Sequence, residues 1–136
     1  MMSTNRIFID TNVLLYLISS DSEKATIASR VLVKAPTISV QILNEFVAVA
    51  RRKHKKSWDI VLAITQAVAA ECKIVPLTLE VHERAVGLAR YSGISIYDAC
   101  VIAAAECSAC DVLYTEDLNP GQRFGSVTVR NPFAER

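Results

Sequence analysis

The sequence predicts a three-layer α/β/α protein, with helices on both faces of a central, mainly parallel five-stranded sheet. Three observations predict this class: apolar runs of strand length alternate with segments of helical periodicity, Pro or Gly ends several helical segments, and 51% of the 136 residues are hydrophobic. Because that apolar content can offset the entropy of ordering one backbone, we expect a single domain over residues 1–136.

The first part of the chain is predicted to hold two strands, each leading into a helix. Residues 6–9 form a β-branched apolar run, and a polar Asp-Thr-Asn turn leads from it into the apolar helical segment 13–18. Apolar positions recur at helical spacing over residues 22–33, and Pro36 ends that helix before a second strand at residues 37–40.

The middle of the chain is predicted to be mainly helical. Residues 41–54 form an amphipathic helix that ends in basic residues, which complement the helix dipole. Ser57 can cap a further helix that reaches Glu71. Residues 72–75, directly before Pro76, are predicted to form a third strand.

The last third predicts two helices followed by two strands. One helix covers residues 79–91 and is ended by Gly93, and a second runs from Ser95 to about residue 109. Strands are predicted at residues 111–114 and, after an Asn-Pro-Gly turn, at residues 126–129.

Composition excludes several classes of function. Fifteen Lys and Arg against fourteen Asp and Glu give a net charge of +1, so any contact with nucleic acid must come from a local patch. The four glycines do not stand at the spacing that a P-loop or a dinucleotide fingerprint needs.

The location is predicted from the apolar runs and the cysteines. The longest apolar run near the N-terminus, residues 13–18, is too short for a bilayer and has no basic leader, and the four cysteines suit a reducing compartment. We therefore expect no signal peptide, no membrane helix and a cytoplasmic location.

Acidic residues are predicted to meet at one edge of the sheet. Asp10 directly follows the first strand, Glu45 lies early in the helix after the second strand, and Asp98 begins the helix that leads into the fourth strand. Glu116 and Asp117 follow the fourth strand. Ligands of parallel sheets bind outside the carboxyl ends of the strands, which is where these residues should lie.

Each acid alone also has a structural explanation. Asp10 can cap the helix that follows it, and Asp98 fits the first turn of a capping box. Glu45 can be solvated or paired on its helix, and Glu116 and Asp117 can be a solvated turn. Together, however, carboxylates within about 4 to 6 Å repel one another unless a cation lies between them.

The ligand types indicate which cation this would be. An all-oxygen set without His suits Mg²⁺ or Mn²⁺ better than zinc. Because Mg²⁺ is commonly held by one or two carboxylates together with substrate phosphate oxygens, the pattern favours phosphodiester hydrolysis.

A dense basic run follows the helix that carries Glu45. It is compatible with contacts to an RNA backbone, about three turns from Glu45, or with a solvated helix end that complements the dipole. Its candidate RNA-contacting residues are Arg51, Arg52, Lys53, Lys55 and Lys56.

Four segments in order resemble the motifs of PIN-domain nucleases, especially VapC-type toxins of toxin–antitoxin modules. These segments are Asp-Thr-Asn-Val-Leu-Leu from residue 10, Ser-Val-Gln-Ile-Leu-Asn-Glu-Phe from residue 39, Tyr-Asp-Ala from residue 97 and Tyr-Thr-Glu-Asp-Leu from residue 114. The resemblance covers nearly the whole chain. It implies a five-stranded parallel sheet, a Mg²⁺- or Mn²⁺-dependent endoribonuclease, a homodimer, and inhibition by a separate antitoxin protein.

The resemblance also implies roles for individual residues. Asp10, Glu45 and Asp98 match the three core acids, and Asp117 matches a fourth, more variable acid for which the adjacent Glu116 could substitute. On this basis Asp10 and Asp98 would bind one ion directly, while Glu45 and Asp117 would act through water or a second ion. The supporting polar positions of the family fall at Thr11, Asn12 and Thr115.

Alternative functions remain open at this point. A phosphoacceptor signalling domain also clusters acids at this edge, but it needs a Lys after its last strand, and the final Lys here is Lys73. A phosphatase of the haloacid dehalogenase type needs an Asp-x-Asp pair, and Asn12 occupies the second position. A PIN-like module that binds metal or RNA without catalysis, or that is not a toxin, fits the same residues.

Overall fold

The computed structural model describes residues 6–134, which form six strands and six α-helices. The strands are β1 (Ile7–Ile9), β2 (Thr37–Ser39), β3 (Lys73–Val75), β4 (Val112–Tyr114), β5 (Arg123–Phe124) and β6 (Val127–Arg130). The helices are α1 (Thr11–Leu15), α2 (Ser22–Val33), α3 (Val40–Arg52), α4 (Trp58–Glu71), α5 (Leu79–Ser92) and α6 (Ile96–Cys107). A 3₁₀ turn, Tyr16–Ile18, continues α1.

The strands form one sheet in the order β3-β2-β1-β4-β6-β5, and every neighbouring pair except β5 and β6 is parallel. The predicted three-layer α/β/α class with a mainly parallel sheet is confirmed. Doubly wound phosphoacceptor domains have the order 2-1-3-4-5, so this sheet order argues against that alternative.

The predicted number of strands is wrong, because the sheet has six strands rather than five. The additional strand, β5, pairs antiparallel with β6 across a turn at Gly125 and Ser126. Two residues are too few to show the alternation by which a strand is recognised in a sequence.

Side-chain caps set most helix boundaries. Ser57 accepts a hydrogen bond from the backbone of Ile60, Ser95 caps α6, and Gly93 ends α5 with a φ of +71°, all as predicted. Ser39 caps α3, so β2 ends one residue before the prediction.

Helix α6 is buried along most of its length and contacts β2, β4 and β6. It also packs extensively against α5, and its buried residues include the alanines 99, 103, 104 and 105, whose small side chains leave room for these neighbouring elements. Within residues 6–134, none of the helices combines the length and the apolar character needed to span a bilayer.

The turn between β5 and β6 lies against an ion pair that joins α5 to α6. Arg84 donates to Glu106 from Nε at 2.6 Å and from Nη2 at 3.3 Å. Gly125 has a φ of +59°, and a Cβ built there would overlap the Glu106 carboxylate. The positive φ therefore favours glycine at this position, and a Cβ there would also displace the Glu106 carboxylate from its contact with Arg84.

We expect Gly125→Ala to destabilise the fold by more than Gly121→Ala. Both glycines have positive φ, but a Cβ at Gly121 would meet open space, so that variant incurs only the left-handed backbone penalty of about 1 to 2 kcal/mol. Gly125→Ala must in addition displace Glu106. Urea unfolding measures both changes, and the excess at position 125 should vanish in a Glu106→Ala background. Equal losses in the two glycine variants would contradict this account.

Candidate metal centre

Three carboxylates meet at the carboxyl edge of the sheet. Asp10 follows β1, Asp98 lies in the first turn of α6, and Asp117 lies in the loop after β4. One oxygen from each lies within 4.8 Å of the other two. Asp10 is only 6% exposed, Asp98 is half-buried and Asp117 is exposed, so the cluster faces solvent at Asp117.

Hydrogen bonds hold Asp10 in one orientation. Its Oδ1 accepts from the backbone N of Thr11 at 2.8 Å, so Asp10 also caps α1, as its structural explanation required. Its Oδ2 accepts from Thr115 Oγ1 at 2.9 Å and, more weakly, from Asn12 Nδ2 at 3.4 Å. Capping and clustering therefore coexist at this residue.

Thr115 connects Asp10 to the loop that carries Asp117. Its hydroxyl is fully buried, donates to Asp10, and accepts from Asn12 Nδ2 at 3.1 Å and from the backbone N of Asp117 at 3.0 Å. Asn12 Oδ1 accepts in turn from the backbone N of Glu116 at 3.3 Å. The polar residues that follow β1 and β4 thus form one connected network.

Burial raises the pKa of the Asp10 carboxyl to about 6. Hydrogen bonds from Thr115 and Thr11 counter part of the rise, and the negative charges of Asp117 and Glu45 add to it. The ionised cluster is therefore destabilised by its surroundings in the absence of a cation.

The pKa of Asp98 is also raised. Burial is the main cause and the charge of Asp117 adds to it, while a hydrogen bond with Ser95 lowers it. Among residues 6–134, no Lys or Arg forms an ion pair with any of the three clustered acids.

Glu45 lies at the margin of the cluster. Its side chain is half-buried on α3 and accepts a hydrogen bond from Gln41 Nε2 at 2.8 Å. Its charge raises the pKa of Asp10, but its carboxylate is not part of the group within 4.8 Å. The structure therefore brings Glu45 near the three clustered acids without placing it among them.

Glu116 and Asp117 point to different partners. Glu116 accepts from Tyr16 at 2.6 Å and from Lys24 at 2.9 Å, whereas Asp117 contributes to the acidic cluster. Of the two acids that the sequence left as alternatives for the fourth position, the structure therefore brings Asp117 to the others. The contacts of Glu116 were missed at the sequence level because Tyr16 and Lys24 are distant in the chain.

The basic run, which begins in the last turn of α3, is exposed apart from half-buried Lys56. Arg51 donates to the Lys56 carbonyl at 2.9 Å and lies over the Trp58 ring at 4.6 Å. Lys53 and His54 line a cavity of about 200 Å³ whose wall also includes Asn12. The fold thus brings the middle of the run to a residue that contacts Asp10.

The residues of the cluster fit a hard divalent cation. All three acids supply oxygen, and their repulsion is not offset by an ion pair from the described part of the chain. The Thr11 hydroxyl nearby is buried and has no hydrogen-bond partner among the described residues. Both observations are expected where an ion and its water complete a polar site.

The fold and the cluster together define a class of α/β protein with acidic side chains gathered at the ends of its parallel strands. A family model described as the PIN domain matches residues 7–122. The chain belongs to the PIN domain family. No curated protein matches it in sequence.

Several solved structures are similar to this chain. A toxin–antitoxin complex from Klebsiella pneumoniae shares 22% identity at a TM-score of 0.68, covering 93% of this chain and 97% of the other. VapC20 of Mycobacterium tuberculosis, described as a sarcin-ricin loop cleaving toxin, shares 20% sequence identity at a TM-score of 0.66. The match covers 82% of this chain and 89% of the other. FitAcB from Neisseria gonorrhoeae shares 20% sequence identity at a TM-score of 0.70, and the match covers 95% of this chain and 99% of the other. At these identities the likeness concerns the fold.

We expect Asp10→Asn to change the pH dependence of stability in metal-free protein. An acid whose pKa rises from 3.8 to about 6 on folding binds more protons folded than unfolded, so its contribution to the free energy of unfolding falls as pH rises through that window. The shift corresponds to about 3 kcal/mol. The stability of the variant relative to wild type should therefore rise between about pH 4 and pH 7. Urea unfolding in EDTA measures this, and a difference that is independent of pH would contradict it.

Proposed function

We propose that this protein is a Mg²⁺- or Mn²⁺-dependent endoribonuclease that acts as the toxin of a type II toxin–antitoxin module. The observation that carries the proposal is the convergence of Asp10, Asp98 and Asp117 within 4.8 Å on a PIN-family fold. Three carboxylates at that spacing suit a metal centre for phosphodiester hydrolysis.

Asp10, Asp98 and Asp117 would hold the metal, and Glu45 would act from the margin through water. A divalent ion bound there supplies charge neutralisation at the scissile phosphate and a lowered pKa for the attacking water. Hydrogen bonds from Thr11 and Thr115 keep the buried carboxylate of Asp10 ionised and oriented. Substrate would approach from the side of Asp117, because that acid is exposed.

Glu45 is suited to hold a water molecule rather than the ion itself. Its Oε1 is oriented by Gln41, and its charge acts on Asp10 from outside the group of three. No protein nucleophile is required, since water is the attacking group in this reaction class.

The basic run after α3 would contact the RNA backbone. Arg52, Lys53 and Lys55 are exposed, and Lys53 lines a cavity with Asn12, which supports a path from the run to the acids. The Arg51 guanidinium is held by the Lys56 carbonyl and the Trp58 ring, and Lys56 is half-buried, so we assign these two residues a smaller share of the contact. Backbone contacts of this kind position RNA without reading its sequence.

The partners in this proposal are an RNA substrate, a cognate antitoxin and a second copy of the chain, all in the cytoplasm. Membership of the PIN family supports the toxin role. The similar structures support it too, since they include a toxin–antitoxin complex and a toxin described as cleaving the sarcin-ricin loop. The exposed apolar side chains of Val40, Leu77, Ile96 and Tyr97 line one cavity, and a contiguous apolar surface of this kind supports association with other proteins.

Replacing Asp98 by Asn should reduce RNA cleavage by at least about 100-fold, because even an outer-shell partner of a metal ligand is worth 10- to 100-fold. The measurement is kcat/KM for RNA cleavage by purified protein in Mg²⁺ or Mn²⁺, and EDTA should abolish the wild-type rate.

Asp59→Asn is a matched control for this experiment. Asp59 is exposed and, like Asp98, lies in the first turn of its helix, so both variants lose a similar dipole interaction of about 0.3 to 1 kcal/mol. Cleavage should persist in Asp59→Asn. Wild-type protein that binds metal but cleaves no RNA would favour the non-catalytic alternative, and cleavage that survives EDTA would exclude the metal mechanism.

Removing charge from the basic run should weaken RNA binding and flatten its salt dependence. For single-stranded RNA the slope of log K against log salt is about −0.7 per neutralised phosphate, so Arg52→Gln with Lys53→Gln should reduce its magnitude by about 1.4. Binding is measured in EDTA, which prevents cleavage. Lys34→Gln with Lys73→Gln removes two exposed charges elsewhere and should leave the slope near wild type. An equal effect in both pairs would contradict a local RNA path.

A further inference from the structure

Tyr16, Lys24 and Glu116 form a closed polar triangle beside the acidic cluster. The Tyr16 hydroxyl donates to Glu116 Oε1 at 2.6 Å, and Lys24 Nζ donates to Glu116 Oε2 at 2.9 Å and to the Tyr16 hydroxyl at 3.0 Å. All three side chains are half-buried. Both oxygens of Glu116 are therefore engaged by groups from the opposite end of the sequence.

Aromatic rings surround the ammonium group of this triangle. Lys24 Nζ lies 4.6 Å from the centroid of the Tyr16 ring and 5.4 Å from that of Phe133, and these two rings pack edge to face at 4.6 Å. A cation held by two aromatic faces, a hydroxyl and a carboxylate is confined to one position. The three side chains of the triangle therefore form a fixed point, a well-anchored group that lies outside the acidic cluster.

The loop that carries Asp117 is tied to this fixed point through its neighbour in the chain. Glu116 stands between Thr115, which donates to Asp10, and Asp117, which belongs to the cluster. The backbone N of Glu116 also donates to Asn12, and that of Asp117 donates to Thr115. The loop is thus held by Thr115 on its buried side and by the Glu116 side chain on its outer side.

Asp117 needs such an anchor more than the other acids. It is exposed and its carboxylate lies within 4.8 Å of those of Asp10 and Asp98, and repulsion between like charges at that distance favours a loop position further from them. We propose that Glu116, fixed by Lys24 and Tyr16, is a positioning residue that holds Asp117 within reach of the metal before the metal binds. This inference rests on the proposed function, because it assigns a role at the same metal centre.

The sharpest test is the affinity of Lys24→Met for Mn²⁺, measured by electron paramagnetic resonance at fixed ionic strength. Removing a positive charge near the cluster would by Coulomb attraction alone tighten Mn²⁺ binding. Loss of positioning would instead weaken Mn²⁺ binding. We expect the Kd for Mn²⁺ to rise about 10-fold, as it does when a residue that orients a metal ligand is removed. Lys24→Arg, which keeps the charge, should recover part of the loss.

Two further variants separate positioning from general destabilisation. Arg84→Met breaks the ion pair with Glu106 with the same change of charge and should leave the Kd unchanged. In an Asp117→Asn background, Lys24→Met should no longer weaken Mn²⁺ binding, because the residue through which it acts is lost and only the opposite Coulomb effect remains. If Lys24→Met does not fold, Tyr16→Phe, which removes one hydroxyl and no charge, should raise the Kd in the same direction.

The outcomes distinguish this inference from the proposed function. Unchanged or tighter Mn²⁺ binding by Lys24→Met in a protein that cleaves RNA would overturn the positioning role alone. Weaker binding by Lys24→Met in a protein that cleaves no RNA would overturn the proposed nuclease and support the positioning role. A wild-type protein that binds no Mn²⁺ would overturn both.

Discussion

Mutual repulsion among carboxylates is the constraint on which the rest of this structure depends. Three acids lie within 4.8 Å of one another at the edge of the sheet, and burial makes ionisation of Asp10 harder still. The backbone and a hydrogen bond hold them together despite this repulsion. Asp10 is fixed by its position at the end of β1 and by the hydrogen bond from Thr115, and Asp98 by its position at the start of the buried helix α6. The fold thus gives up stability at this edge to keep the three acids together, and their all-oxygen donor set fits a divalent cation.

The neighbouring acids at positions 116 and 117 show that two residues of the same chemical type can have different roles. Both are Asp or Glu in the same loop, yet one is neutralised by Lys24 and the other is left with its charge uncompensated among the described residues. An ion pair at one position and an acidic cluster at the next require the loop to present successive side chains in different directions. The backbone hydrogen bonds from residues 116 and 117 to Asn12 and Thr115 hold the loop in that form.

Local chemistry made much of this molecule predictable from its sequence. Caps and terminators such as Ser57, Gly93 and Ser95 marked helix ends that the structure retains. The positions of Asp10, Asp98 and Asp117 at strand and helix junctions predicted that they would lie together, and the structure places them so. The features that could not be predicted were a strand too short to show a pattern and a contact between residues far apart in the sequence. β5 has two residues, and Lys24 reaches Glu116 across 92 positions, a contact that no periodicity encodes.

The alanines of α6 link the interior of the protein to its reactive edge. They are buried where the helix packs against α5 and the sheet, and the first turn of that helix carries Asp98. A bulkier residue in the middle of α6 would lift the helix and move Asp98 outward, although the substitution lies on neither the loop nor the rim. Tolerance to substitution in this core is therefore limited by the position of Asp98 as well as by packing volume, and variants that fold well can still have a disturbed acidic cluster.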